Sequence, residues 1–161
     1  MTFLRLAALA VVLPVVVATS PFAWAHDYRV GELSIAHPWS RATPPGARVG
    51  AGYVKIDNRG AVSDRLISAT MERAGRAEVH EMSVTDGVMR MRELPAGVPI
   101  PANGSVELKP RGLHVMFVDL KSPLLQGERI KGSLIFERAG AVAVEFAVEP
   151  IGAASAARHD H

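Results

Sequence analysis

The stretch "EVHEMSVTDGVMRMRELP", residues 78–95, decides how this chain is read. Apolar and polar residues alternate on both sides of Asp86-Gly87, a dipeptide suited to a two-residue type I′ turn. That turn sets Met82 opposite Met91, with His80 one step further on. A four-residue loop would instead set His80 opposite Met91. In either register His80, Met82, Val84, Met89 and Met91 share one face, because side chains alternate along a strand. Glu81, Ser83, Arg90 and Arg92 occupy the other face, read as solvated. Three methionines and a valine on one strand face are ordinary core filler. The histidine fits that reading poorly, since a buried imidazole needs hydrogen-bond partners.

Outward from this hairpin the chain reads as β throughout. Short apolar runs, alternating or continuous, fall near 28–36, 50–58, 65–72, 77–84, 88–93, 104–109, 112–119, 129–137 and 141–149. The turn signals "TPPG" (43–46), "NRG" (58–60), "PANG" (101–104), "PRG" (110–112) and "RAG" (138–140) separate them. No window carries a long 3.6-period stripe, and no internal repeat is present. Many short strands at this spacing predict an antiparallel all-β sandwich or barrel.

The N-terminus reads as an export signal. "MTFLR" supplies one positive charge, "LAALAVVLPVVVA" (6–18) an apolar run, and Ala23-Trp24-Ala25 a small-x-small cleavage pattern. The run is shorter than the roughly 20 apolar residues of a membrane span, so an uncleaved anchor is the lesser alternative. Residues 1–25 are expected to be removed, which makes His26 the first mature residue. No stable membrane insertion is expected after that cleavage. Residues 26–150 form one expected domain, long enough for a real core. The segment 151–161, mostly small and polar, reads as a loose tail with two histidines. Lys and Arg number 18 against 16 Asp and Glu, interspersed, for a net charge of +2. That is no electrostatic footprint for nucleic acid.

Export usually permits disulfides, yet the chain has no cysteine. Cysteine nucleophiles and thiolate metal sites are excluded with it. No G-x-S-x-G elbow and no H-E-x-x-H helix occurs. The Gly-rich "VGAGY" (49–53) lacks the Gly-Lys-Ser/Thr of a phosphate loop. The reading is therefore not an enzyme. What remains is a soft-donor pattern. "LHVMFVDL" (113–120) places His114 and Met116 on one strand face, with Leu113, Val115 and Phe117 on the other. A lone H-x-M is weak evidence, but two His/Met pairs on separate strands of a small domain are harder to dismiss. Two imidazoles with two thioethers form a neutral, soft set that suits Cu(I) better than Zn(II).

The spacing of these residues resembles the PCu(A)C family of periplasmic copper chaperones. Its pattern is a His, ten residues, a Met, about twenty-one residues, then His-x-Met. Here ten residues separate His80 from Met91, and twenty-two separate Met91 from His114. The one-residue excess is assigned to "LPAGVPIPANG" (94–104), where a loop tolerates insertion. Segments 39–60, 64–82, 88–97 and 100–128 also resemble the family. The resemblance implies a cupredoxin-like antiparallel Greek-key β-sandwich. It implies a Cu(I) site of His80, Met91, His114 and Met116, with Met82 beside it and Met89 packing. The implied role is to hold copper in the periplasm and pass it to the copper site of cytochrome c oxidase, alone or with its assembly factors.

Other residues admit narrower readings. His26 at a free N-terminus could hold Cu(II) as copper monooxygenases do, which makes a secreted copper redox enzyme the alternative function. His159 and His161 could capture Cu(II) at a secondary site, although a simple loose end explains them too. His37 reads as a loop histidine. Arg73, Arg76, Arg90 and Arg92 could dock an acidic partner or form a solvated face. A metal-free β-sandwich interaction module is the third class.

Overall fold

The computed structural model describes residues 27–155. The signal segment, His26, His159 and His161 lie outside them. Eleven strands and no helix make up the described residues, in the order β1 (Tyr28–Val30), β2 (Leu33–Arg41), β3 (Val49–Asn58), β4 (Asp64–Met71), β5 (Arg76–Thr85), β6 (Val88–Glu93), β7 (Val98–Ile100), β8 (Gly104–Leu108), β9 (Leu113–Val118), β10 (Arg129–Phe136) and β11 (Gly140–Glu149). The expected all-β architecture is observed. Two elements differ from the sequence reading. The run at 28–36 is broken by a turn at Gly31-Glu32, where Gly31 takes φ 53°, and folds as the β1–β2 hairpin. The segment 94–104 contains β7, which pairs with β4 despite Pro99. β7 ends the strand path, and a path end tolerates proline.

The strands follow the path β6-β5-β9-β3-β2-β11-β10-β4-β7, with β1 on β2 and β8 on β3. Every pairing is antiparallel except β11 with β2, which run parallel over Ala147–Glu149 and Trp39–Arg41. The path folds back on itself, so Phe117 of β9 meets Phe146 of β11 edge-on, ring centroids 5.2 Å apart at 78°. Ile35, Ile56, Leu66, Leu108, Leu124 and Leu134 are among the fully buried side chains around them. Such burial contributes about 1.5–3 kcal/mol per large apolar side chain. With no disulfide available, it is what holds the domain together.

The glycines of "VGAGY" have a packing role. Gly52 on β3 pairs with Val115 on β9, and the Phe117 ring lies against it. A Cβ on Gly52 would come to 2.5 Å from Phe117 Cε2. Phe117 is fully buried and has nowhere to move. A Cβ on Gly50 would meet side-chain tips alone, Leu124 Cδ1 at 3.1 Å and Leu120 Cδ1 at 3.4 Å being the nearest. We therefore expect Gly52→Ala to destabilise by about 1–3 kcal/mol through overpacking, and Gly50→Ala by less. Urea denaturation should show a lower midpoint for Gly52→Ala at unchanged slope. Equal midpoints for the two variants would contradict the close approach.

Candidate metal centre

Asp86 and Gly87 both take positive φ, 53° and 74°, as a type I′ turn requires. The two-residue register follows: Thr85 pairs with Val88 and Met82 with Met91. The other side of β5 pairs with β9, and there the two histidines meet. His80 lies directly opposite His114, Glu78 opposite Met116, and Val79 opposite Val115. Alternation then sorts the faces. Ala77, Val79, Val115 and Phe117 point into the core. Glu78, His80, Met82, Met91, His114 and Met116 point to the outer face.

This placement corrects the hairpin reading as core. Met89 and Met91 are 61% and 50% exposed, and all of β6 is exposed. Met89 therefore does not pack. The hairpin runs past the end of the hydrophobic core, so its alternation has nothing to bury against. On the outer face of β5, β6 and β9 the buried side chains are instead those of the two histidines, 7% and 5% exposed. Their ring centroids stand 5.8 Å apart at 36°. Side chains directly opposite have Cβ atoms about 5 Å apart, and diagonal neighbours about 7–8 Å. Met116 is diagonal to His80 on one side and Met91 on the other. Met82 stands between Met91 and Gly112, whose carbonyl accepts its backbone N–H at 3.1 Å.

The histidine surroundings include groups that the spacing did not reveal. His80 Nε2 lies 2.9 Å from Glu78 Oε2. Arg76 Nε donates to Glu78 Oε1 at 2.9 Å, and Arg76 Nη1 to Asp119 Oδ2 at 2.9 Å. The hydrogen bond from His80, then that from Arg76, hold the Glu78 carboxyl below its ordinary pKa. His114 Nδ1 donates to the Gly112 carbonyl at 3.0 Å. His80 Nδ1 is buried without a partner. Glu93, opposite His80 on β6, completes a trio with Glu78 and His80 whose donor atoms lie within 4.8 Å of one another. Glu78 and Glu93 are the residues the sequence reading missed. Their signal was there: Glu78 is two residues before His80 on its own face.

A second feature flanks the histidines. Tyr53 and His114 are the next residues beyond the Gly52–Val115 pair. Tyr53 stacks on Trp39 at 4.4 Å, and Arg41 lies over its ring at 5.8 Å. Arg41 Nε also donates to the Ala153 carbonyl, so residues just after β11 are tied to this side.

His37 is exposed on β2 at a bulge, with φ 47°, rather than in a loop. Arg73 forks onto Glu128 at 2.6 and 3.0 Å and donates to the Pro123 carbonyl. Arg92 donates to Glu81 at 2.7 Å. Three of the four arginines therefore have intramolecular carboxylate partners, and Arg90 is simply exposed.

Burial pushes the His114 pKa below its ordinary value, and charge on His80 acts the same way, against the Gly112 carbonyl, which raises it. Charged neighbours are His80 opposite, Glu78 beside His80, and Glu93 beyond it. A histidine depressed in the folded state adds stability that is whole above the unfolded pKa of about 6.5. That stability is lost as pH falls toward the folded value. The metal-free protein is expected to lose melting temperature between pH 7.5 and 5.5. His114→Gln should lose less, and an equal loss would show that His114 is not the source.

The family model described as "LpqE-like: Putative lipoprotein LpqE-like" matches residues 33–148. "Putative lipoprotein Lxx21020" of Leifsonia xyli subsp. xyli (strain CTCB07) is 32% identical over 104 residues, 65% of this chain and 61% of that protein. The chain thus spans about three fifths of that relative's length. Among solved structures, "Copper-bound PCuAC domain from PmoF2" is 29% identical at TM-score 0.67, covering 78% of this chain and 98% of that one. "Apo PCuAC domain from PmoF1" is 30% identical at TM-score 0.66, covering 78% and 99%. "Solution structure of CuI-DR1885 from Deinococcus Radiodurans" is 26% identical at TM-score 0.56, covering 78% and 81%. A cupredoxin-like β-sandwich, a match over most of the described residues and PCuAC domains as structural neighbours place this chain in the LpqE-like family, which is the PCu(A)C family.

Proposed function

We propose that this protein is an exported copper carrier that holds Cu(I) between His80, Met91, His114 and Met116. The observation that carries this reading is the cross-strand His80–His114 pair, nearly buried on the outer face and flanked diagonally by two thioethers. Copper-bound and Cu(I)-bound relatives of the same fold support copper as the cargo.

The donor set explains the rest of the proposal. Two neutral imidazoles and two thioethers are soft and bring no charge of their own, which matches a monovalent soft ion. Thioethers carry no proton at neutral pH, so uptake releases none from them. They form no disulfides and survive an oxidising compartment. The absence of thiolates keeps the ion exchangeable, as delivery requires. The Ala23-Trp24-Ala25 pattern and the relatives' lipoprotein descriptions support export, and we place the carrier in the periplasm. The copper site of cytochrome c oxidase, or the factors that assemble it, is the proposed destination. Its support is the family resemblance. A secondary Cu(II) site on His26 or on His159 and His161 belongs to the same proposal, since nitrogen and oxygen donors suit the harder ion.

Titration of the mature protein with Cu(I) against a competing chelator should show one tight equivalent, abolished in Met91→Ala/His114→Ala. Unchanged affinity in that double variant would remove the site from these residues. Free Cu(I) at 100 times its Kd should stabilise the wild type by about 2.7 kcal/mol. No rise in melting temperature would instead favour a metal-free module.

A further inference from the structure

The two imidazoles are hydrogen-bonded in opposite senses. Glu78 is ionised at neutral pH and can only accept, so the proton of its bond to His80 belongs to Nε2. In the neutral ring the lone pair is then on Nδ1, the atom left buried without a partner. A backbone carbonyl also can only accept, so His114 carries its proton on Nδ1 and its lone pair on Nε2. Glu78 is itself held on its second oxygen by Arg76, which Asp119 holds in turn.

We propose that Glu78 is a positioning residue for the cargo: it locks His80 to present Nδ1 to copper, while the Gly112 carbonyl locks His114 to present Nε2. The assignment rests on the carrier reading above. The orphaned nitrogen is its main support. A buried acceptor without a donor is unfavourable, and coordination supplies the missing partner. A carboxylate behind a metal-bound imidazole also fixes the ring and raises its basicity. The two ligands are unequal in reach as well. Nδ1 is one bond from Cγ, whereas Nε2 is at the far edge of the ring.

Long-range proton–nitrogen correlation spectra of the metal-free protein, labelled at histidine nitrogen, test the assignment at a pH where both rings are neutral. His80 should show a protonated Nε2 and a bare Nδ1, and His114 the reverse. Adding Cu(I) should shift His80 Nδ1 and His114 Nε2. Glu78→Ala should mix the His80 tautomers, leave His114 unchanged, and weaken Cu(I) binding by about 10–100-fold. Glu78→Gln, whose amide oxygen still accepts, should keep the His80 tautomer and lose less affinity. A bare Nε2 on His80, or Glu78→Ala with wild-type tautomers and affinity, would overturn the proposal. Cu(I) uptake through His80 Nε2 would overturn this assignment alone. A wild type that takes up no Cu(I) would overturn the carrier reading and with it the role given to Glu78.

Discussion

The antiparallel register between β5 and β9 is the constraint on which the site depends. Val79 opposite Val115 and Ala77 opposite Phe117 face the core, and His80 opposite His114 faces out. A slip by one residue would send the imidazoles inward and the apolar side chains outward, because the side-chain period is two. The histidines do not set this register. Val79, Val115 and Phe117 are buried at 3% exposure or less, and Gly52 leaves the space that the Phe117 ring fills. The core therefore positions the metal-binding candidates from behind, and rigidity at the site is borrowed from packing.

Burial on the outer face is the less usual part of the arrangement. Two imidazoles at 7% and 5% exposure sit beside the buried Trp39 and Tyr53, with half-buried or exposed side chains on the strands around them. Three of their four ring nitrogens can be accounted for: one bonded to Glu78, one to Gly112, and the His114 Nε2 left as an acceptor by that second bond. The chain Asp119–Arg76–Glu78–His80 runs along the strand ends with every link near 2.9 Å. A charged network of this kind adds little stability where it is exposed. Its consequence is geometric: it removes freedom from one ring whose direction matters.

Some of this was legible in the sequence and some was not, for physical reasons. Asp86-Gly87 pointed to the two-residue register, because few dipeptides accept two positive φ values, but the four-residue loop stayed open until the pairing was seen. Alternation placed His80, Met91, His114 and Met116 on their faces. It could not say which face met the core, and the β6 methionines, ordinary core residues by type, proved exposed. The β5–β9 pairing was invisible as well, since strand adjacency across more than thirty residues leaves no local trace; only the family spacing hinted at it. Short strands escaped for a similar reason. β7 has three residues and a proline, and the Gly31-Glu32 turn lacks the Asn-Gly or Asp-Gly signature. Glu78 was passed over because the expected strand put it on the histidine's face without showing that its carboxylate reaches the ring.

The exposure pattern separates the requirements of folding from those of the site. Met91 belongs to a hairpin end beyond the core, where substitutions ordinarily change stability by no more than about 0.5 kcal/mol. Its side chain can be selected for chemistry without cost to the fold. His114 is different: it is buried, bonded to Gly112, and flanked by core residues on its own strand. Any replacement there must also satisfy or remove a buried polar contact. A site built this way has one half anchored in the packed layer and one half carried on an exposed edge. The anchored half sets direction, and the exposed thioether is the part whose chemistry the fold leaves free.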